Sequence, residues 1–146
     1  MKLLIQEVRD RGPLDLDETI PAGLMDHPSL KSPIHLHVHA ECLGDEVLAL
    51  IRAETSASLE CARCLEGFDI PLKATVTLHA PLSVPEVEAG DEARQSLHLA
   101  LPLKPLCRPD CKGLCSTCGK NLNGGPCACA PEAEDSPFQK LKDLKL

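Results

Sequence analysis

An alternation of apolar and polar residues limits the folds open to this chain more than any other feature. Apart from Thr55, apolar side chains occupy every second position in three runs, residues 34–42, 47–59 and 70–80. A period of two predicts half-buried β-strands. Because only short segments separate the runs, we expect the strands to pair as an antiparallel meander with one apolar face.

The first 32 residues give a weaker pattern. Leu3, Leu4, Ile5 and Val8 indicate a first strand, and residues 14–17 alternate weakly. Several residues that interrupt regular structure follow. We therefore expect an edge strand and irregular structure here. The interrupting residues are Pro13, Pro21, Gly23 and Pro28.

Two short helices are predicted after the sheet. Apolar residues at helical spacing in 93–101 indicate an amphipathic helix that covers the apolar face of the sheet. Ser136 and Pro137 suit the N-cap and first position of a final helix, whose stripe is Phe138, Leu141 and Leu144. The predicted class is α+β. It comprises a β-meander body covered by short helices (residues 1–101), followed by a cysteine-rich zinc-knuckle module and terminal helix (residues 102–146).

The stretch from Cys107 to Cys129 holds six of the nine cysteines, spaced C-x3-C-x3-C-x2-C-x8-C-x-C. At its centre, Cys115-x-x-Cys118 is followed by Gly119, which is typical of a zinc knuckle. The two-residue gap lets both thiolates face one ion, and the glycine permits the turn. We find no secretory signal and no run long enough to span a membrane. A cytoplasmic location with reduced thiols is therefore expected, where clustered cysteines favour metal over disulfides.

The spacing leaves the ligand set open. A local set has short loops to close and is favoured by closure entropy; it is Cys111, Cys115, Cys118 and Cys127, with Cys107 and Cys129 as substitutes. An alternative set joins a second pair, Cys61 and Cys64, to Cys115 and Cys118 as a zinc ribbon. The eight cysteines other than Cys42 are also enough for two ions. In each case the predicted cofactor is structural Zn²⁺.

Charge and composition argue against a simple RNA-binding domain. The net charge of −7 divides into −9 for residues 1–101 and +2 for residues 102–146. The chain has two Phe and no Trp or Tyr, so it lacks the stacking aromatics of many RNA binders. An acidic body suits a basic protein partner, whereas four cationic side chains of the module are candidates for phosphate contacts. These are Lys104, Arg108, Lys112 and Lys120.

No catalytic constellation emerges, and we predict no enzyme. Zinc held by four thiolates has no open position for water or substrate. His35, His37 and His39 alternate along one predicted strand, and we interpret them as solvent-side residues because neighbours lie roughly 7 Å apart. Cys42, on the apolar face, is expected to be a buried small hydrophobic residue.

Several segments together resemble the YceD family, the large ribosomal RNA subunit accumulation proteins. The resemblance covers most of the chain from Leu59 onward, and the linker between Ala80 and Leu97 is shorter than is usual in the family. The matching segments are Cys61-Ala-Arg-Cys64-Leu-Glu-Gly-Phe68, Leu99 to Cys107, Asp110 to Cys115, Cys118-Gly119, Asn121-Leu-Asn123, Cys127-x-Cys129, and Phe138-x-x-Leu141-Lys142-x-Leu144.

This resemblance implies a factor needed for accumulation of the large-subunit (23S) ribosomal RNA and for assembly of the large ribosomal subunit. The expected partner is a ribosomal protein, an assembly factor or a pre-ribosomal particle. Two alternatives are a thiol redox protein that uses Cys61 and Cys64, and a generic zinc-braced protein adaptor. Thiol titration and cofractionation with pre-ribosomal particles separate these hypotheses.

Overall fold

The fold is described from a computed structural model, which defines residues 1–21 and 28–129. In the described part of the chain, all six strands precede the longer of the two α-helices, an α+β arrangement. The elements are β1 (Leu3–Leu4), α1 (Ile5–Arg11), β2 (Leu14–Ile20), β3 (Ile34–Leu43), β4 (Glu46–Glu60), β5 (Gly67–Pro81), β6 (Glu86–Val87), α2 (Ala89–Ala100) and a short 3-10 helix (Leu122–Gly124).

A four-stranded antiparallel sheet of order β2-β3-β4-β5 forms the body. Its three long strands coincide with the three alternating runs of the sequence, which confirms the predicted meander. The register places Val38 opposite Ile51, and Ile51 opposite Val76. Apolar residues of neighbouring strands therefore share one face, because side chains that lie opposite one another point the same way.

Both helices pack against the sheet. The helix α2 contacts β3, β4 and β5, and buries Ala89, Ala93 and Leu97, as expected for a helix that covers the apolar face. The helix α1 contacts β3 and buries Ile5 and Val8. The two-stranded pairing of β1 with β6 connects the start of the chain to the segment before α2.

Two expectations are corrected by the structure. Ile5 and Val8 lie in a helix and not in a strand; their spacing of three places both on one helical face, which a search for alternation overlooks. Cys42 is exposed and not buried. It lies near the end of β3, beyond Ala40, which is the last buried residue of that strand.

The hairpin of β4 and β5 carries the chain from the main core to a second, smaller cluster. Its strands pair from Glu46 with Pro81 to Glu60 with Gly67. At about 3.3 Å per residue, fifteen paired residues span roughly 50 Å. The cluster at its tip contains Cys61, Cys64 and Cys111, with Phe68, Leu106, Cys107 and Leu114 packed against them.

This second cluster joins residues from both sides of the predicted boundary at 101/102, and the division into two domains stays a prediction. The predicted final helix at 136–144 lies outside the described residues. Within the described ranges, no helix is long and apolar enough to cross a membrane.

Candidate metal centre

The first cysteine pair lies in the turn between β4 and β5. The N–H of Cys61 donates to the carbonyl of Glu66 (2.9 Å), and the N–H of Leu65 donates to the carbonyl of Cys61 (2.9 Å). Leu65 has a φ of 61°, a left-handed conformation that tightens the turn. Cys61 and Cys64 are both buried, at 0% and 4% exposure. The turn therefore presents two thiols to the interior of the second cluster.

The segment after α2 brings two further cysteines to this turn. The N–H of Ala62 donates to the carbonyl of Pro105 (2.8 Å), and the N–H of Leu114 donates to the carbonyl of Arg63 (3.1 Å). The guanidinium of Arg63 also donates to the carbonyl of Cys111 (2.8 Å). These bonds align residues 105–114 along the hairpin tip. The four thiols that meet there form group 1: Cys61, Cys64, Cys107 and Cys111.

The remaining four clustered cysteines form group 2: Cys115, Cys118, Cys127 and Cys129. A knuckle turn organises the first two, because Gly119 N–H donates to the carbonyl of Cys115 (2.9 Å) with Gly119 at a φ of 70°. The Sγ atoms of Cys127 and Cys115 are 3.4 Å apart. Cys118 is exposed and its three companions are half-buried, so group 2 is more open than group 1.

The sulfur geometry fits a tetrahedral zinc site. Zinc–sulfur bonds of about 2.3 Å at tetrahedral angles place the sulfurs about 3.8 Å apart. In group 1, the Cys61–Cys111 and Cys64–Cys107 sulfur distances are 3.8 Å and 3.7 Å. Within each group, all four sulfurs lie within 4.8 Å of one another, and all nine cysteines are free. A soft four-thiolate set suits zinc and leaves no position for substrate.

The thiols within each group differ in acidity. The backbone N–H of Cys107 is the main cause that lowers the pKa of Cys61 to about 6, and the backbone N–H of Cys118 does the same for Cys115, to about 6. Burial is the main cause that raises the pKa of Cys107 to about 12. The hydrogen bond with Cys118, followed by burial, raises the pKa of Cys129 to about 12. Each group thus contains a thiol that ionises readily and one that keeps its proton until a cation replaces it.

A side-chain amide supports one of the sulfurs. Asn123 Nδ2 donates to the Sγ of Cys111 at 3.3 Å, and this bond is the main cause that lowers the pKa of the Cys111 thiol. Donors of this kind orient a ligand and offset the negative charge that thiolates bring to a metal. Asn123 was part of the family resemblance in the sequence, but its spacing alone gave it no role.

The structure divides both ligand sets that the sequence suggested. Of the local set, Cys111 lies in group 1, whereas Cys115, Cys118 and Cys127 lie in group 2. The alternative set is divided between its two pairs, Cys61 with Cys64 and Cys115 with Cys118. Each of the two substitutes completes one group: Cys107 completes group 1 and Cys129 completes group 2. The arrangement corresponds to the option of two ions.

The three histidines of β3 lie on the sheet face opposite the main core. His37 Nδ1 is 2.9 Å from an Asp17 carboxylate oxygen, and His39 Nδ1 is 2.7 Å from that of Asp15. The His35 side chain contacts Thr19 on the same neighbouring strand. In the part of the chain that the structure describes, convergent groups of three or more ligand side chains are confined to the two cysteine groups. The histidines therefore act as polar residues of the exposed sheet face.

Comparisons with known proteins match a segment that holds all of group 2 and two cysteines of group 1, Cys107 and Cys111. The profile of the family described as large ribosomal RNA subunit accumulation protein YceD matches residues 79–145. A protein of Zea mays named "Large ribosomal RNA subunit accumulation protein YCED homolog 1, chloroplastic" is 41% identical over 76 residues, which are 51% of this chain and 25% of that protein. Its Arabidopsis thaliana counterpart is 35% identical over 68 residues, covering 47% and 21%.

A bacterial relative matches a longer part of the chain. An uncharacterized protein of Mycobacterium leprae is 31% identical over an alignment of 108 residues that covers 62% of this chain and 50% of that protein. The chain thus spans about a quarter of the length of the plant relatives and about half of the bacterial one. No solved structure matches. By the profile match and the named plant relatives, residues 79–145 of this chain are similar to the YceD family.

Proposed function

We propose that this protein is a non-enzymatic factor for accumulation of the large-subunit ribosomal RNA and for assembly of the large ribosomal subunit. The observation that carries the proposal is the match of residues 79–145 to the YceD family. This segment contains six of the eight clustered cysteines. The two plant relatives bear names that refer to the same process.

A structural Zn²⁺ in each cysteine group completes the proposal. Both groups supply four thiols at spacings that suit tetrahedral coordination. A zinc ion surrounded by four thiolates stabilises a fold and performs no catalysis, since no coordination position stays open. The ion in group 1 connects the hairpin tip to residues 107–111, and the ion in group 2 closes the loop that follows.

The charge distribution supports a basic protein as the direct partner. Residues 1–101 carry a net charge of −9, and a zinc ion with four thiolates adds about −2 at each group. This negative charge offsets the positive charge of the module's exposed lysines and arginine, which weakens the attraction of RNA phosphates. A basic ribosomal protein or assembly factor within a pre-ribosomal particle fits this surface, and eight clustered free thiols fit the reducing cytoplasm.

Depletion of the protein tests the cellular role. Precursor and mature large-subunit RNA are measured by hybridisation, with small-subunit RNA as the internal reference. We expect the large-subunit RNA to fall relative to the small-subunit RNA, and the wild-type chain to restore it. The exposed Cys42 gives a matched control, because Cys42→Ser should restore the RNA as well as the wild type does. Unchanged large-subunit RNA after depletion would reject the function.

Metal analysis of the purified chain tests the zinc sites separately. We expect about two zinc ions for the wild type and for Cys42→Ser, and about one for either Cys64→Ser or Cys118→Ser. A single ion in the wild type that is lost from both of these variants would contradict two independent groups. Sedimentation with pre-ribosomal particles in a sucrose gradient then separates a ribosome-assembly factor from a generic zinc-braced adaptor.

A thiol redox function for Cys61 and Cys64 is the remaining alternative. The lowered pKa of Cys61 favours it, because a thiolate is the reactive form. The burial of both side chains opposes it, since a partner disulfide must reach the sulfur. Titration of the zinc-loaded chain in a redox buffer distinguishes the two: a reversible Cys61–Cys64 disulfide supports the redox function, and zinc-protected thiols support the structural one.

A further inference from the structure

Group 1 and group 2 are joined by direct contacts. The 3-10 helix Leu122–Gly124 belongs to the eight-residue loop between Cys118 and Cys127, the two flanking ligands of group 2. The N–H of Leu122 donates to the carbonyl of Gly113 (2.9 Å), and Asn121 forms an isolated antiparallel bridge with Leu114. The loop of group 2 therefore lies directly against the segment that follows Cys111.

Asn123 carries this contact to a sulfur of the other group. Its Oδ1 accepts from the N–H of Lys112 at 2.8 Å, and its Nδ2 donates to the Sγ of Cys111 at 3.3 Å. The amide orientation is fixed, because only the oxygen can accept from Lys112. The N–H of Asn123 also donates to Oδ1 of Asn121 at 2.9 Å, which holds the backbone of the turn. Together, these three hydrogen bonds hold the Asn123 amide beside Cys111.

We propose that metal binding at group 2 raises the metal affinity of group 1, with Asn123 as the positioning residue that couples them. An ion at group 2 closes and orders the eight-residue loop. The entropy cost of ordering that loop then no longer opposes the placement of Asn123. The placed amide then supports Cys111 as a ligand. Thermodynamic linkage requires the reverse effect, so metal at group 1 strengthens group 2 by the same factor. The inference rests on the proposed zinc sites.

The test uses the full chain and measures each group by itself. Cadmium is used as the probe because it binds thiolate sets and gives a separate NMR signal for each one. The signal that disappears in Cys115→Ser/Cys118→Ser belongs to group 2, and competition with a chelator gives the affinity of group 1 from the other signal. Zinc competition against the same chelator repeats the measurement with the proposed ion.

Removal of Asn123 and removal of group 2 should weaken group 1 to a similar extent. We expect Asn123→Ala to lower the affinity of group 1 by about 10–100-fold, the usual effect of losing a support of a metal ligand. Cys115→Ser/Cys118→Ser should have a similar effect. Adding Asn123→Ala to that double variant should cause little further loss, because the loop no longer places the amide.

Two more variants separate the hydrogen bond from packing and folding. Asn123→Asp keeps the acceptor for Lys112 but places an oxygen against the sulfur, so group 1 should be weakened at least as much as by Asn123→Ala. Cys42→Ser changes an exposed residue outside both groups and should leave both affinities unchanged. Group 1 affinity that is unchanged in Asn123→Ala, or unchanged when group 2 is removed, overturns the coupling. A wild-type chain that binds no metal at either group instead rejects the zinc sites.

Discussion

The two cysteine groups use one kind of ligand but are built in different ways. Group 1 joins Cys61 and Cys64 to Cys107 and Cys111, which are more than forty residues later in the chain, and three of its four side chains are buried. Group 2 takes all four ligands from Cys115–Cys129, and none of them is buried. Group 1 therefore depends on the folded hairpin, whereas group 2 depends mainly on its own loop.

The two groups differ in what offsets the entropy cost of closing their loops. An isolated chain would favour the short loops of group 2, because closure entropy grows with the length of the loop. In group 1 the folded body offsets that entropy cost, because the pairing of β4 with β5 fixes the first two thiols before any metal binds. We therefore expect group 1 to contribute to the stability of the body and group 2 to contribute less.

The largest effect on the free energy of unfolding is expected from serine at Cys64, and Cys118→Ser is its counterpart in group 2. Cys64→Ser should lower the free energy of unfolding by about 4 kcal/mol or more, because it removes a buried metal brace between distant segments. Cys118→Ser should lower it by only about 1–3 kcal/mol, the part that reaches group 1 through coupling. Urea unfolding followed by circular dichroism measures both, since the chain lacks Trp and Tyr.

Both variants keep the size of the side chain, so neither tests packing. Cys42→Ser serves as the control and should leave the unfolding free energy within about 0.5 kcal/mol of the wild type, as for other surface substitutions. Equal losses of unfolding free energy in Cys64→Ser and Cys118→Ser would contradict the proposal that group 1 stabilises the body and group 2 stabilises mainly its own loop.

Much of the body could be predicted from the sequence, because alternation reports directly which face of a strand is covered. The observed strands Ile34–Leu43, Glu46–Glu60 and Gly67–Pro81 follow the predicted runs closely. The helix Ile5–Arg11 was missed since a seven-residue helix contributes only two buried residues, Ile5 and Val8, to any pattern. Two such positions fit a strand segment and a helix turn almost equally well.

The ligand groups were harder to predict for a physical reason. Spacing identified the knuckle Cys115-x-x-Cys118, because two thiols at this separation face the same way whatever the rest of the chain does. Spacing could not reveal that Cys111 faces the hairpin tip and not the knuckle four residues later. That choice depends on tertiary hydrogen bonds, such as Arg63 to the carbonyl of Cys111, which no local pattern reports.

A smaller effect is expected from the apolar packing around group 1. Phe68 is half-buried against this group. Phe68→Ala should destabilise the chain by about 1–2 kcal/mol, somewhat less than the value for a fully buried side chain, and should weaken metal binding at group 1 more than at group 2. Chelator competition compares the two affinities. The control is Leu103→Ala, whose side chain is fully exposed at 101% and should cause no loss at either group.

The smallest expected difference is that between two glycines that share a left-handed backbone but differ in their surroundings. Gly113 has a φ of +74°, and a Cβ there would lie 3.0 Å from the carbonyl oxygen of Arg63; Gly119 has a φ of +70° and no atom within 4 Å of such a Cβ. Alanine at either position should cost about 1–2 kcal/mol for the backbone conformation. Gly113→Ala should cost about 1 kcal/mol more, because it also pushes residues 113–114 away from the hairpin tip. Urea unfolding of both variants gives the difference, and the excess for Gly113→Ala should appear as weaker metal binding at group 1. If Gly119→Ala proves as harmful to group 1 as Gly113→Ala, the close contact with Arg63 is not what holds the later cysteines against the hairpin.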